Sequence, residues 1–366
     1  MFASSQKGWI GVDLGTSAVK LAQVERAGRA GHHPEDGRAG WSWRLAHARV
    51  IRRPRSDSAD KQGDGVLDWW NQVFRSEPVR AGFGGRVAAC VLPTGRADLR
   101  AINLPEGSEA ERRAMIGNEL DALLGENAGR RVFDFWEIHP RGESNLENVN
   151  VISLPEDEAV AVVASLARAG LCCRVLDGLP LAMARAVSLA NGVEAGAAVA
   201  ALDWGFSSAT FSILCDDRPV FTRHLRDCGF AAIPAAVSEA LGLPIDDAER
   251  LLATHGVVDP GVKGDPLHDV QEAIAEVTSG PLNEMVSQLN KTLAYPELHR
   301  SGLVPAKIWL LGGGATVRNV AAHLSARIHV PVQTWHMSYA GPDRSAGPVP
   351  PAMLAPAVAL SALAFA

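Results

Sequence analysis

The chain has 366 residues, enough for two or three packed units and too many for one small module. Charged residues make up 21% and apolar residues 47%, which excludes a wholly disordered or coiled-coil chain. A formal charge of −6 gives no reason to expect nucleic acid as the main partner, and with Arg outnumbering Lys 29 to 6, the place of each lysine is informative.

The cysteines (Cys90, Cys172, Cys173, Cys215, Cys228) form no C-x-x-C pair, and their odd number points to a reducing compartment without structural zinc. Met1 to Gln6 is polar, so no signal peptide is expected. No stretch reaches the ~20 apolar residues that cross a bilayer. The expectation is a soluble, cytoplasmic protein.

In chain order, Trp9 to Asp13 predicts a strand that turns at Leu14-Gly15-Thr16-Ser17 into a second strand over Ala18 to Val24. Residues 26–40 predict a loop, and Trp43 to Ile51 another strand. The segment 26–55 holds eight Arg against Glu35 and Asp36. It reads as a solvated loop and basic edge strand, or as a patch for anionic lipid or an acidic partner. A helix over Asp64 to Phe74 places Val66, Leu67, Trp70 and Phe74 on one side. Strands follow at Gly85 to Pro93 and Asp98 to Leu104. Ser108 and Glu111 then have capping-box spacing for a helix towards Leu124. Strands at Phe133 to Ile138 and Asn148 to Leu154 precede a helix over Glu156 to Ala169 that ends at Gly170. This β-β-α-β-β-α run predicts a small domain of its own.

After a strand at Cys173 to Asp177 and a helix at Pro180 to Asn191, the opening pattern recurs. Val199 to Asp203 leads through Trp204-Gly205-Phe206-Ser207-Ser208 into Ala209 to Ile213. Both copies are an apolar strand, Asp-x-Gly, a hydroxyl-rich turn and a returning strand, about 190 residues apart. Helices are predicted at Ile233 to Leu241, Ile245 to Thr254 and Leu267 to Thr292. The strand Lys307 to Leu311 then runs into Gly312-Gly313-Gly314-Ala315 and a helix to Ile328. Ala352 to Ala366 reads as a buried core helix despite Pro356.

Two Asp-x-Gly turns present backbone N–H groups to an anion, and Asp13 and Asp203 at the strand ends can hold water around a divalent metal. Glycine lets the backbone approach a phosphate closely, and the triple glycine before a helix is a third such element. In this order these elements resemble the actin and heat-shock-chaperone ATPase superfamily. Asp13-Leu14-Gly15-Thr16-Ser17-Ala18-Val19-Lys20 is similar to its first phosphate motif. The resemblance implies a two-lobed α/β, actin-like (ribonuclease H-like) fold that binds ATP and Mg2+. It implies contacts from Gly11, Asp13, Leu14, Gly15, Thr16, Ser17 and Lys20, from Asp203, Gly205, Ser207 and Ser208, from Glu249 and Arg250, and from Gly312 to Ala315, with Asp13 and Asp203 facing the metal.

Within the superfamily, Val87 to Leu92, Arg100 to Pro105, Glu109 to Leu120, Leu166 to Leu171 and Leu181 to Ala186 resemble the PilM family of type IV pilus assembly proteins, relatives of FtsA. The expected division is 1–85 as the first half of lobe one, 86–172 as an inserted small α/β domain and 173–198 as the return to lobe one. Residues 199–340 form lobe two, and 341–366 form a linker and a helix packing back on lobe one. The resemblance implies a cytoplasmic nucleotide-binding scaffold at the inner membrane, holding the N-terminal tail of a PilN-like bitopic protein, with self-association as a further possibility.

Three departures bear on activity. Leu179-Pro180 stands where the superfamily has Glu-Pro, so a group worth ~10²–10⁴-fold as a general base is missing unless Asp177 replaces it. Ala248-Glu249-Arg250-Leu251-Leu252 resembles an adenosine-side helix, but with Leu252 in place of a lysine. Asp227-Cys228-Gly229-Phe230 has one glycine where relatives pair two, and Cys228 reads as a packing residue. At most slow ATP hydrolysis is expected. The alternatives are an FtsA-like filament protein and a phosphotransferase of the sugar-kinase branch. The uncharged tail from Leu354 argues against the first, and the lack of a sugar-site aspartate motif against the second.

Overall fold

Three sheets carry the fold in a computed structural model that describes residues 6–29, 41–54, 65–124, 129–138, 148–190, 197–262, 266–295, 303–337 and 349–366. In chain order the first part runs β1 (Gln6–Lys7), β2 (Ile10–Leu14), β3 (Ala18–Arg29), β4 (Trp41–Arg52), α1 (Val66–Ser76) and β5 (Val87–Leu92). There follow β6 (Asp98–Ile102), α2 (Glu109–Leu124), β7 (Arg131–Glu137), β8 (Val149–Pro155), α3 (Glu156–Arg168), β9 (Cys172–Gly178) and α4 (Leu179–Leu189). The second part runs β10 (Val199–Trp204), β11 (Ala209–Cys215), β12 (Arg218–Leu225), α5 (Ala232–Leu241), α6 (Ile245–Thr254), α7 (His268–Val277) and α8 (Ser279–Leu293). It closes with β13 (Ile308–Leu311), α9 (Val320–Ile328), β14 (Val332–Thr334) and α10 (Pro351–Ala362).

The repeat read from the sequence is a repeat of topology. The first sheet has the order β1-β3-β2-β5-β9 with β4 on β3, and the second has the order β12-β11-β10-β13-β14. In each, an antiparallel hairpin (β2 with β3, β10 with β11) feeds a parallel run (β5 and β9, β13 and β14). Parallel strands are covered on both faces, which is why β2 and β10 are buried along their whole length. The third sheet, β6-β8-β7, is small and antiparallel and packs against α2. Strand β5 pairs with β2 and β9, so by its hydrogen bonds it belongs to the first sheet rather than to the insert. The capping box forms as read: Glu111 N donates to Ser108 Oγ (3.3 Å) and Ser108 N to a Glu111 carboxylate oxygen (2.8 Å).

Strands β1, β12 and β14 are not among the elements expected from the sequence, and two expected elements have other bounds. Strand β3 continues to Arg29, into the segment read as a loop; residues 30–40, most of the linker expected from 341 and part of the basic segment lie outside the described residues. The helix expected over Leu267 to Thr292 is two helices. Buried Thr278 ends α7, with its hydroxyl donating to Ile274 O, and α8 starts at Ser279.

Helix α10 is apolar on every side, which a helix tolerates only when it is enclosed. It packs on β2, β3, β5 and α4, and its buried face belongs to the apolar core that both large sheets share. Pro356 lies inside it and has no N–H to give to the carbonyl four residues earlier, Ala352. That carbonyl instead accepts Gly312 N (3.0 Å), so the proline leaves an acceptor for the glycine turn of the second lobe. Among the described residues no helix is long and apolar enough to cross a membrane.

Candidate functional site

The two Asp-x-Gly turns have the same build. A Cβ on Gly15 would sit 2.8 Å from Ala18 O, and one on Gly205 would sit 2.9 Å from Ser208 O, so each glycine is required by a tight reversal. The first turn is pinned by Gly15 N donating to Ala18 O (3.0 Å) and by Trp70 Nε1 donating to Gly15 O (3.0 Å). The second is backed by Phe230 N on Gly205 O (2.8 Å) and Ala231 N on Phe206 O (2.9 Å). The tips meet across the lobes, where the Thr16 hydroxyl donates to Ser207 Oγ at 3.1 Å.

Beneath the tips lie two buried carboxylates, Asp13 and Asp203, and the largely enclosed Lys20. Lys20 is opposite Asp13 in the β2–β3 ladder and its Nζ donates to Asp13 Oδ2 at 2.8 Å. Burial alone would lower the Lys20 pKa, but the charges of Asp13 and Asp203 outweigh it and raise the value. Asp203 is pushed up to about 6, chiefly by burial and further by Asp13, against the pull of Lys20. Its Oδ1 is buried without a hydrogen-bond partner. An orphaned carboxylate oxygen beside a second carboxylate suits a hydrated cation, because Mg2+ keeps most of its waters and takes one or two carboxylates together with substrate phosphates. Among the described residues no group of three or more His, Cys, Asp or Glu is close enough to cage a metal.

The glycine run joins this centre. Gly312 has φ 82°, and a Cβ on it would lie 2.6 Å from Asp203 Oδ1; one on Gly314 would run into the Trp204 indole. Gly313 and Ala315 complete the turn, which is a short 3-10 segment before α9. The structure therefore brings Asp13, Gly15, Thr16, Lys20, Asp203, Gly205, Ser207 and Gly312 into one place. Ser17 supports from behind, its carbonyl taking Arg53 N, and Ser208 Oγ is bonded to His224 Nε2 at 2.9 Å.

Other candidates stand elsewhere. Gly11 meets α10, where a Cβ would collide with the Ala357 carbonyl, so helix packing accounts for this glycine. Leu14 is fully buried in the core under α1. Glu249 is ion-paired with Arg52 of the first lobe, and Arg250 is exposed and paired with Asp247 on its own helix. Leu252 faces the second lobe's core, so α6 has no cation to offer there. Gly229 alone fits against the second turn, since a Cβ would sit 2.6 Å from Phe206 O. Cys228 is buried, and burial holds its thiol up at about 11, which fits a packing role.

The position of the missing acid is filled by buried Leu179. Asp177 does not replace it. Its carboxylate is paired with Arg185 and accepts Gly178 N, and burial raises its pKa.

Sequence reasoning did not find a second feature. An apolar groove of about 560 Å3 runs between the small sheet, α3 and the end of β9, lined by Leu99, Ile152 and Leu176. Val132, Val160 and Val163 also line it and are 42%, 60% and 39% exposed. The spacing of Val160 and Val163 on α3 was the available signal, but it becomes meaningful only when the sheet stands opposite.

Sheet topology and paired turns together make this a two-lobed, actin-like α/β fold with a small inserted sheet. Solved structures resemble it in fold, two of them as follows. The chain is similar to a PilM–PilN type IV pilus biogenesis complex, with a TM-score of 0.73 and 22% identity over 98% of this chain and 99% of that one. It is also similar to the ethanolamine utilization protein EutJ from Carboxydothermus hydrogenoformans, with a TM-score of 0.53 and 14% identity over 97% and 89% of the two chains. No protein-family model and no curated protein matches the sequence.

Proposed function

We propose that the chain is a PilM-like cytoplasmic nucleotide-binding scaffold of a type IV pilus or related secretion platform, holding the tail of a PilN-like bitopic inner-membrane protein. The observation that carries this reading is the open apolar groove in a chain whose fold follows that of the PilM–PilN complex from end to end. Exposed Val132, Val160 and Val163 are the surface that an extended, apolar partner segment would cover.

The cleft supports ATP with Mg2+ as the bound group. The two glycine turns offer N–H groups to its phosphates, Lys20 brings positive charge, and Asp13 and Asp203 would hold the hydrated cation. ATP would supply a transferable phosphoryl group. In this chain, however, Leu179 cannot orient water and Asp177 is engaged by Arg185, so the residues bind and position without drawing a proton from an attacking water. The role is that of a scaffold with slow or absent hydrolysis. Helix α10 has no charge and is enclosed in the core that both lobes share, so it is not itself a membrane-binding helix.

The test is capture of the cytoplasmic tail of a bitopic protein encoded nearby. The full chain should retain the tail, and Val160→Asp with Val163→Asp should weaken capture about tenfold or more, because the tail would bury unpaired charges. Unchanged capture by the variant would remove the groove from the reading. In parallel, ATP with Mg2+ should raise the melting midpoint by linkage while phosphate release stays at background. Rapid release abolished by Asp13→Ala would refute the slow-hydrolysis part, and no thermal shift would refute the nucleotide part.

A further inference from the structure

The basic strand β4 ends where the first turn begins. Arg52, its last residue, is opposite Ala18 in the ladder, and the next residue's N–H, from Arg53, donates to Ser17 O at 2.8 Å. The end of β4 is thus fastened to the glycine turn that reaches the cleft. From there the Arg52 side chain crosses to the other lobe, and its Nη1 donates to Glu249 Oε2 on α6 at 2.7 Å. Helix α6 is a firm anchor, since Ala248 and Leu252 on either side of Glu249 are buried in the second lobe's core and Leu252 O accepts Arg318 N.

Other links between the lobes among the described residues are mostly of another kind. They include the hydroxyl pairs Thr16–Ser207 and Thr210–Thr94, the bonds from Gly312 N to Ala352 O, Trp335 Nε1 to Ala186 O, Ser188 Oγ to Asp217 Oδ1, and Trp136 Nε1 and Asn150 Nδ2 to Pro219 O, and the apolar core around α4 and α10. Lys20 also attracts Asp203, but both are largely enclosed and little screened by salt. The Arg52–Glu249 ion pair is open to screening, because the Arg52 side chain is 62% exposed.

From this we infer that Arg52 and Glu249 form a clasp that holds the lobes together over the cleft and slows the exchange of a bound nucleotide. The inference rests on the nucleotide reading of the cleft. It also gives the basic segment's last strand residue a task within the molecule. Glu249, which the resemblance places among the nucleotide contacts on the adenosine side, has its carboxylate engaged by Arg52 of the opposite lobe.

A partly exposed ion pair of this kind slows opening by about two- to fivefold. The experiment follows release of a fluorescent ATP analogue, loaded with Mg2+ on the full-length protein and chased with unlabelled ATP. Arg52→Ala should release it about two- to fivefold faster at low salt. Raised salt should bring the wild type up to the variant's rate and leave the variant unchanged. In a Glu249→Gln background, Arg52→Ala should add nothing. An unchanged rate for Arg52→Ala at low salt, or the same acceleration in both backgrounds, would overturn the clasp. If the wild type binds no nucleotide, the reading of the cleft fails and the clasp is decided without it, by hydrogen exchange of residues 14–18 and 205–208 in the ligand-free protein. Exchange there should be faster in Arg52→Ala and in the wild type at raised salt; no difference would overturn the clasp.

Discussion

Asp203→Asn should make the ligand-free protein more stable at pH 7.5, by about 1–3 kcal/mol, and should remove any stabilisation by ATP with Mg2+. Asp203 is buried, its Oδ1 has no partner, and burial holds its pKa at about 6 against an ordinary 3.8. An acid whose pKa is higher in the folded than in the unfolded state is costly to the fold once ionised. That cost begins as pH rises above the unfolded value near 4 and is complete above about 6. The variant's advantage should therefore be full at pH 7.5, shrink as pH falls below 6, and vanish below 4. Melting curves across this range check the prediction, and a variant less stable than wild type at pH 7.5 would refute it. The carboxylate is the kind of group that is retained for binding at the expense of stability.

Gly11→Ala should have the largest effect on the fold itself, a loss of about 3 kcal/mol or more. Glycine lets β2 lie directly on α10, and the added methyl would meet the Ala357 carbonyl and, at 2.9 Å, Ser361 N. These are backbone atoms of a helix held on β2, β3, β5 and α4, so the strain cannot be relieved by turning a side chain. Gly117 provides the contrast. It lies within α2 with open space around its Cα, and Gly117→Ala should gain about 0.5–1 kcal/mol. Urea midpoints of the two variants should move in opposite directions.

Much of the architecture was legible because it rests on local pattern. The two Asp-x-Gly turns and the triple glycine mark reversals that few residues allow, and the superfamily resemblance they carry implied a cleft between two lobes. The run from Ala352, without a polar face, could only be enclosed. What was not legible depends on residues far apart in sequence. β5 belongs to the first sheet through its ladders with β2 and β9, which its own composition does not reveal. Gly11 was assigned to the phosphate element through the resemblance, yet the close approach of the Ala357 carbonyl accounts for it by packing, a contact with a residue far along the chain. Arg52 was one of eight arginines in a basic stretch, and its place in the structure depends on a glutamate 197 positions away. The groove required α3 and the small sheet to be placed together before its three valines could be seen as one surface.

The fastening of β2 to α10 also has a consequence for how the protein is made. Ser361 binds the first strands through Trp9 N on its carbonyl (3.1 Å) and through its hydroxyl, which donates to Trp9 O and accepts Val24 N (2.9 Å). The opening hairpin leaves the ribosome about 340 residues before this helix, an interval of roughly 20 to 70 s at ordinary elongation rates. Throughout that time β2 and β3 have an apolar face with no cover. The first lobe is thus started first and finished last, and a nascent chain stalled before residue 351 should remain a client for chaperones even with both glycine turns already synthesised.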